Sequence, residues 1–230
     1  MVVKKLIIAI DGPSGAGKST LSKALADSLH YTNIDTGAMF RAVALQTMRQ
    51  SIDLNDEQQI EAMCRSIDIR FDRSGTEERI LLNGEDVSAA IRTPDVSLLT
   101  AQVAALPVVR KTLLNLQRQM GENGGVVLEG RDIGSVVFPD AEVKFFLSAT
   151  AQQRGKRRYL ELKAKGIEVD LDQTIAEVEA RDLADSSRQH APLLRAADAI
   201  DIDSTSMSIS EVLSKMLGII NRRMIPGTER

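Results

Sequence analysis

Apolar residues recur along this chain with two different periods, and the alternation between them outlines a fold. Leu6-Ile7-Ile8-Ala9-Ile10 is a short unbroken apolar run, rich in β-branched residues and closed by a glycine turn, as in a central parallel strand buried on both faces. Leu21, Ala24, Leu25, Ser28 and Leu29 follow at helical spacing, and Met39 to Gln50 carries a second helical pattern. From Ile67 to Phe71 the period changes to two, Arg79-Ile80-Leu81-Leu82 follows, and Asn83-Gly84 is a strong hairpin signal. This segment predicts a small antiparallel insert outside the main sheet. Helical periodicity returns from Pro94 to Met120, while Gly125-Val126-Val127-Leu128 and Val143-Lys144-Phe145-Phe146-Leu147 are further buried-strand patterns. A charged, strongly helical stretch runs from Ala151 to Arg188 with a break near Gly166, and Ala199 to Ile202 predicts a last strand. Ile209, Val212, Leu213, Met216, Leu217 and Ile220 mark an amphipathic final helix, and the tail beyond Arg223 is expected to fray. Strands alternating with helices imply an α/β fold around a parallel sheet, with the hairpin insert and the charged helical stretch as its two departures.

Composition narrows the function classes. The 230 residues, 43% apolar and 27% charged, suit one elaborated globular domain. A net charge of −3 gives no general attraction to nucleic acid or an anionic membrane, so any affinity for phosphate has to come from local basic clusters. No segment approaches the roughly 20 apolar residues that span a bilayer. The N-terminal run from Val2 lacks the apolar length and small-residue cleavage site of a signal peptide. Cys64 is the one cysteine, which excludes an internal disulfide and reads as a small buried hydrophobe. A soluble, cytoplasmic protein is expected.

Gly12-Pro13-Ser14-Gly15-Ala16-Gly17-Lys18-Ser19 matches G-x-x-x-x-G-K-[ST] in full, with a strand before it and a helix after it. Glycines let backbone N–H groups turn inward around phosphate oxygens where a Cβ would obstruct them, and the following helix adds its positive dipole end. Lys18 is placed to reach the β- and γ-phosphates of a nucleoside triphosphate, and the Ser19 hydroxyl to ligate Mg²⁺. This motif alone does not separate a kinase from an ATPase or a GTPase.

Three basic clusters bear on that choice. Gly130-Arg131-Asp132-Ile133-Gly134 follows a buried strand, at the sheet edge where α/β proteins bind ligands, and reads equally as an ion pair in a surface turn. Arg181, Asp185 and Arg188, spaced by four and seven, share one helical face; such a pair on a solvated face is common and contributes only about 0.3–0.5 kcal/mol. Arg154, Lys156, Arg157 and Arg158 open the charged stretch and, taken alone, read as a solvated helix. Together the clusters point to phosphoryl transfer between two polyanions, where the protein supplies position and fixed positive charge. Arginine suits this because its planar fork grips phosphate at two points. Ala151 to Arg188 is then the natural lid to exclude water. His30 and His190, read as a surface and a lid-flanking residue, sit in no metal-ligand spacing.

These residues resemble the bacterial cytidylate kinases, within the nucleoside monophosphate kinases. The resemblance rests on Ile10 to Ser19, Asp35-Thr36-Gly37-Ala38-Met39-Phe40-Arg41, Leu82-Asn83-Gly84-Glu85-Asp86-Val87, Ile91-Arg92-Thr93, Gly130 to Gly134, Arg181-Asp182 with Asp185 and Arg188, and Asp201 to Thr205. It runs from Ile7 to about Val212 and includes the hairpin insert. It implies a single P-loop kinase domain over 1–230: a parallel-sheet core flanked by helices (1–35, 97–150, 189–225), a monophosphate-binding region with the antiparallel β insert (36–96) and a helical lid (151–188). It implies ATP as donor, with Mg²⁺, and CMP, with dCMP, as acceptor, in a monomer with no obligatory protein partner. ATP contacts fall on Gly12, Pro13, Ser14, Gly15, Ala16, Gly17, Lys18, Ser19 and Thr20, with lid residues Arg154, Arg157 and Arg158. Arg41, Arg110 and Arg131 resemble the acceptor-phosphate grip; Thr36 belongs to the acceptor site, Arg181 and Asp185 resemble ribose contacts, and Asp132 and Arg188 resemble cytosine readers. Lys18, Arg131, Arg181 and Arg158 are the implied catalytic group.

Three departures stand out: Ala101 where relatives often carry a base-reading serine, Phe40 for a frequent tyrosine, and Glu129 for a frequent aspartate. Thr100 is adjacent to Ala101, but successive helix positions differ by about 100°. UMP or AMP is therefore the alternative acceptor. A GTP-binding switch lacks its N-K-x-D reader here, and its D-x-x-G match, Asp72-Arg73-Ser74-Gly75, lies in the hairpin insert. A motor ATPase would show a second ATPase element, and only a loose acidic strand end before Glu129 is present.

Overall fold

The computed structural model describes residues 5–75, 78–164, 166–188 and 191–224; Val2 to Lys4, His190 and the last six residues lie outside them. The chain forms two compact units, one of Met1–Asn33 and Asn123–Arg230, the other of Ile34–Glu122.

The first unit is built on strand β1 (Ile7–Asp11), whose apolar run is buried along nearly its whole length. It pairs in parallel with β6 (Val126–Gly130) on one side and β7 (Val143–Ser148) on the other, and β7 pairs in parallel with β8 (Ile200–Asp203). With β2 (Thr32–Asp35), the sheet has the order β2-β6-β1-β7-β8. The residue patterns of β1, β6 and β7 follow from burial on both faces, whereas β8 lies at the sheet edge with Ile202 alone fully buried. β2 lacks such a pattern, with only Asn33 and Ile34 buried, which is why periodicity did not reveal it. Helix α1 (Lys18–Leu29) and the final helix α8 (Ile209–Met224) lay their apolar faces on the sheet, and Leu21, Leu25, Val212, Met216 and Ile220 join Ile8, Ile10, Phe145 and Leu147 in one core. Each such side chain contributes about 1.5–3 kcal/mol by leaving water. His30, exposed as expected, closes α1 in the left-handed region while Tyr31 N–H reaches back to the Ala26 carbonyl.

The charged stretch is two helices, α6 (Ala151–Ala164) and α7 (Leu171–Ser186). The break near Gly166 has a local cause. Gly166, at φ 74°, donates to the Lys163 carbonyl and Ile167 to that of Leu162, the glycine-terminated closure that ends helices. The two helices pack closely at Gly155, where an added Cβ would lie 2.4 Å from the Ile175 side chain. α7 stops at Ser186, so Arg188 stands beyond the helix rather than on its face.

The second unit holds α2 (Thr36–Arg49), α3 (Glu57–Ser66), α4 (Pro94–Val103) and α5 (Pro107–Gly121), with the antiparallel sheet β3 (Ile69–Asp72), β4 (Arg79–Leu82) and β5 (Glu85–Asp86). Asn83 and Gly84, at φ 52° and 85°, make the tight turn between β4 and β5 that their sequence predicts. The single helical pattern from Pro94 to Met120 is two helices meeting at a 98° bend. Pro107 occupies the first position of α5, and its ring holds Leu106 extended at φ −77°, ψ 122°, which no continuous helix allows. α3, unremarked in the sequence, starts at Asp56, whose carboxylate caps the N–H groups of Gln58 and Gln59. Its buried face is only Ile60, Met63 and Cys64, and burial raises the pKa of the Cys64 thiol. Among the described residues no single helix is long and apolar enough to cross a membrane.

Candidate active site

The glycine loop leaves the carboxyl end of β1 and turns into α1. Gly12, Gly15 and Gly17 take φ of 145°, 76° and 95°, a backbone that L side chains rarely adopt. At Gly12 a Cβ would come within 2.0 Å of the Leu147 carbonyl oxygen, so the loop's entry is seated on β7. Lys18 lies buried inside, its ammonium donating to the Pro13 carbonyl at 2.7 Å. Burial and the nearby Arg131 guanidinium pull its pKa down to about 7, against the pull of Glu129, Asp11 and Asp185. A phosphate bound in such a loop would add negative charge and favour the ammonium form.

At the next residue, the Ser19 hydroxyl donates to Glu129 at the end of β6, 2.9 Å away, and Ser22, one turn on, donates to the other oxygen of the same carboxylate at 3.4 Å. Glu129 is only 4% exposed. The aspartate-to-glutamate departure thus keeps a carboxylate on the serine that follows Lys18. Hydroxyl and carboxylate oxygens are the hard donors that suit Mg²⁺. Among the described residues no cluster of three or more His, Cys, Asp or Glu side chains could hold a metal ion.

Beyond β6 the chain turns through Arg131 and Asp132 into a short π-helical turn, Ile133–Val137. Arg131 donates from Nε to Asp185 at 2.8 Å and from Nη1 to the Gly130 carbonyl at 3.3 Å. The other oxygen of Asp185 takes a short contact from Arg188. Asp185 is 2% exposed, and burial alone would raise its pKa, but Arg131, Arg188 and Arg181 together hold it below the usual carboxylate range. So Arg131, Arg181, Asp185 and Arg188 do gather, although Arg188 gets there from outside the helix. Asp132 is buried beside them, and its carbonyl accepts the Val136 and Val137 amides.

The three arginines of α6 expected to meet ATP differ in placement. Arg154 is buried, its guanidinium bonded to the Ser14 carbonyl of the phosphate loop at 2.9 Å and to Asp182 of α7, while its Nε donates to the Ala149 carbonyl. Arg157 reaches the Ala16 carbonyl at 3.4 Å and the Ser204 carbonyl at 2.6 Å. Arg158 faces outward and pairs with Glu161 at 3.0 Å. Thr20, on α1, is exposed.

In the second unit, Thr36 is buried at the start of α2, where the Asp35 carboxylate caps the Ala38 amide. Gly37 leaves open the space beside Asp35 and Arg41, where a Cβ would lie 3.1 Å from the carboxylate and 3.9 Å from the Arg41 guanidinium. Arg110 stacks over the ring of Phe40, 5.6 Å from its centroid, and donates to the Ala104 carbonyl. Phenylalanine in place of tyrosine keeps that stacking face. The Thr100 hydroxyl is committed to the Val96 carbonyl at 2.5 Å and does not stand in for a serine at position 101.

Two parts of this site were not read from the sequence. Asp11 is buried with its pKa raised to about 6, and accepts the backbone amides of Ile133 and Gly134. Ser22 is a second hydroxyl on Glu129. An acid closing an otherwise apolar strand was the available signal for the first.

A family model described as cytidylate kinase matches residues 8–222. A cytidylate kinase of Syntrophotalea carbinolica is 65% identical over 96% of this chain and 94% of its own, and one of Geobacter sulfurreducens is 60% identical over 95% and 94%. The solved structure of an uncharacterized protein from Eubacterium ventriosum superposes with a TM-score of 0.50 at 13% identity, covering 94% of this chain and 99% of that one, and shares the fold.

Proposed function

This chain belongs to the cytidylate kinase family, and from that membership we infer an ATP-dependent nucleoside monophosphate kinase: it transfers the γ-phosphoryl group of ATP to CMP, giving CDP and ADP. The observation that carries the reading is the meeting of two charge systems in one unit. The lysine of the phosphate loop is buried within electrostatic range of Arg131 and Asp185. A loop for a triphosphate and an arginine cluster for a second anion are what a phosphoryl donor and acceptor require.

In the mechanism proposed here, the loop's backbone amides and Lys18 hold the donor phosphates. Arg131, Arg41 and Arg110 bind the acceptor phosphate, with Thr36 lining its site, while Arg181 and Asp185 take the ribose and Asp132 and Arg188 the cytosine edge. Arg131 and Arg181 also stabilise charge on the group in transfer, and Arg154, Arg157 and Arg158 assist on the donor side. Asp185 orients Arg131 by its 2.8 Å bond, so the guanidinium meets phosphate without reorganising at the moment of reaction. The acceptor phosphate is already anionic, so its attack on the γ-phosphorus needs no general base. Ser19, with Glu129 behind it, is the proposed Mg²⁺ contact. The ion, when bound, neutralises phosphate charge that would otherwise repel the acceptor. dCMP is proposed as a further acceptor, and the enzyme as a cytoplasmic monomer.

The deciding experiment is a panel of CMP, dCMP, UMP and AMP in a coupled assay for ADP release. CMP is expected to give the highest kcat/KM; a rank below UMP or AMP would overturn the base assignment. Asp132→Ala in the same panel is expected to narrow the preference for CMP over UMP, and an unchanged preference removes that residue from base reading.

A further inference from the structure

Asp11 is the last residue of β1, and its Cα partner in β6 is Gly130, the residue before Arg131. Its two carboxylate oxygens are divided between two backbone amides, Oδ1 accepting from Ile133 at 2.8 Å and Oδ2 from Gly134 at 2.7 Å. These amides open a helical turn and have no partner within it. Just ahead of them stands Asp132 at φ −143°, ψ 23°, outside both helix and strand, so the conformation of Arg131-Asp132 depends on how the turn is held. On its other side Asp11 is joined to Gly12, the seated entry of the phosphate loop. A glycine at position 134 is part of the arrangement, since a Cβ there would lie 3.4 Å from Asp11 Oδ2 and 3.1 Å from the Lys144 side chain.

We propose that Asp11 is a positioning residue for phosphoryl transfer: it ties the turn bearing Arg131 and Asp132 to the first residue of the phosphate loop, so that donor and acceptor are presented at a set separation. The inference rests on the acceptor role given above to Arg131 and Asp132. Asp11 is 4% exposed, and its carboxylate accepts from backbone amides of the turn. Burial of its charge is unfavourable, and the two amide bonds offset this only in part. Asp132 adds repulsion and Lys18 attraction. A neutral residue would suit the fold at least as well. What the carboxylate supplies, and an amide side chain does not, is two acceptors on one planar group aimed at two adjacent donors.

Asp11→Asn is the test, assayed in the full chain with ATP, Mg²⁺ and CMP. Asparagine keeps one acceptor oxygen and turns an NH₂ toward the second amide, so one contact is replaced by a donor facing a donor. A displaced acceptor turn is expected to lower kcat by about 10²-fold. The phosphate loop is intact, so equilibrium ATP affinity should stay within about twofold. The thermal midpoint is expected to hold or rise, which a purely structural role for Asp11 would not give. Wild-type kcat in the variant, or kcat and ATP binding falling together with the folded fraction, overturns the proposal. If the variant does not fold, amide hydrogen exchange in the wild type decides: Ile133 and Gly134 should exchange far more slowly than neighbouring loop amides, and equal rates would refute the tie. An Arg131→Ala variant run alongside separates the two levels. Full activity there defeats the acceptor reading, whereas a crippled Arg131→Ala beside an unaffected Asp11→Asn defeats the positioning role alone.

Discussion

The hydroxyl of Ser19 and the carboxylate of Glu129 are joined by a 2.9 Å hydrogen bond that links the first turn of α1 to the end of β6. This bond aims two oxygen donors at the place where the loop ends, and Ser22 fixes the glutamate from behind. Glu129→Gln keeps the shape and removes the charge. It should raise the Mg²⁺ concentration needed for half-maximal turnover and lower kcat by about 10–100-fold. A Mg²⁺ titration of the variant superimposable on that of the wild type would dismiss the pair as an ion site.

Lys18→Ala removes the one buried cation inside the loop. Turnover should fall by about 10²–10³-fold, the usual loss when a fixed charge on the transition state is deleted. Initial rates at saturating ATP and CMP measure it, and a loss below about tenfold would assign the work to the arginines instead.

Asp185 is the anion between Arg131 and Arg188, and its side chain is 3% exposed. Asp185→Asn removes the charge that accepts from both Arg131 and Arg188. The expected loss is about 3 kcal/mol in unfolding free energy, with a larger loss of activity than of ATP binding. Urea unfolding read by circular dichroism gives the first value, and a midpoint equal to the wild type would contradict it.

Gly12 and Gly84 share a positive φ and differ in surroundings. A Cβ at Gly12 strikes the Leu147 carbonyl, whereas nothing lies within 4 Å of one at Gly84. Gly84→Ala should therefore cost only the backbone strain of about 1–2 kcal/mol and leave turnover unchanged. Gly12→Ala should cost about 1–3 kcal/mol more, through displacement of β7 or the loop, and abolish activity. Paired melting curves and rates test the contrast.

Asp11 titrates at about 6 in the folded chain against 3.8 for a free carboxyl. Between those values the folded state holds a proton that the unfolded state has released, so this residue makes stability fall as pH rises across the window. Asp185 acts with the opposite sign: its lowered pKa contributes stability at neutral pH that is lost as pH falls through the folded value. Asp11→Asn should flatten the decline between pH 4 and 6 by up to about 1.4 kcal/mol per pH unit. Unfolding free energies of both proteins measured across that range check it, and parallel curves would refute it.

Much of the architecture was legible because burial on both faces writes itself as uninterrupted apolar runs, as in β1, β6 and β7. The hairpin at Asn83-Gly84 was legible because only such residues take its backbone conformation comfortably. β2 was not, since with just two buried positions it leaves no periodic trace. The same holds for α3, whose apolar face is three residues. The glycine loop and the acidic and basic positions of the turn after β6 stand out in the sequence as chemistry-bearing residues. Their hydrogen-bond partners do not: Asp11 meets Ile133 across 122 positions, and Arg154 meets Ser14 across 140. Local spacing carries no information about such meetings. The reach of Arg188 to Asp185 from past the end of α7 is a smaller instance, where the right neighbours came from the wrong geometry.

Cys64, the one cysteine of the chain, is buried in α3 with its thiol made less acidic by that burial. A maleimide at neutral pH meets little thiolate there, so the natural protein is close to inert toward labelling. Cysteines introduced at exposed Lys23 on α1 and Gln58 on α3 would then take a donor and an acceptor dye without any further engineering. One label falls in each compact unit, so each unit carries its own reporter free of competition from the native thiol.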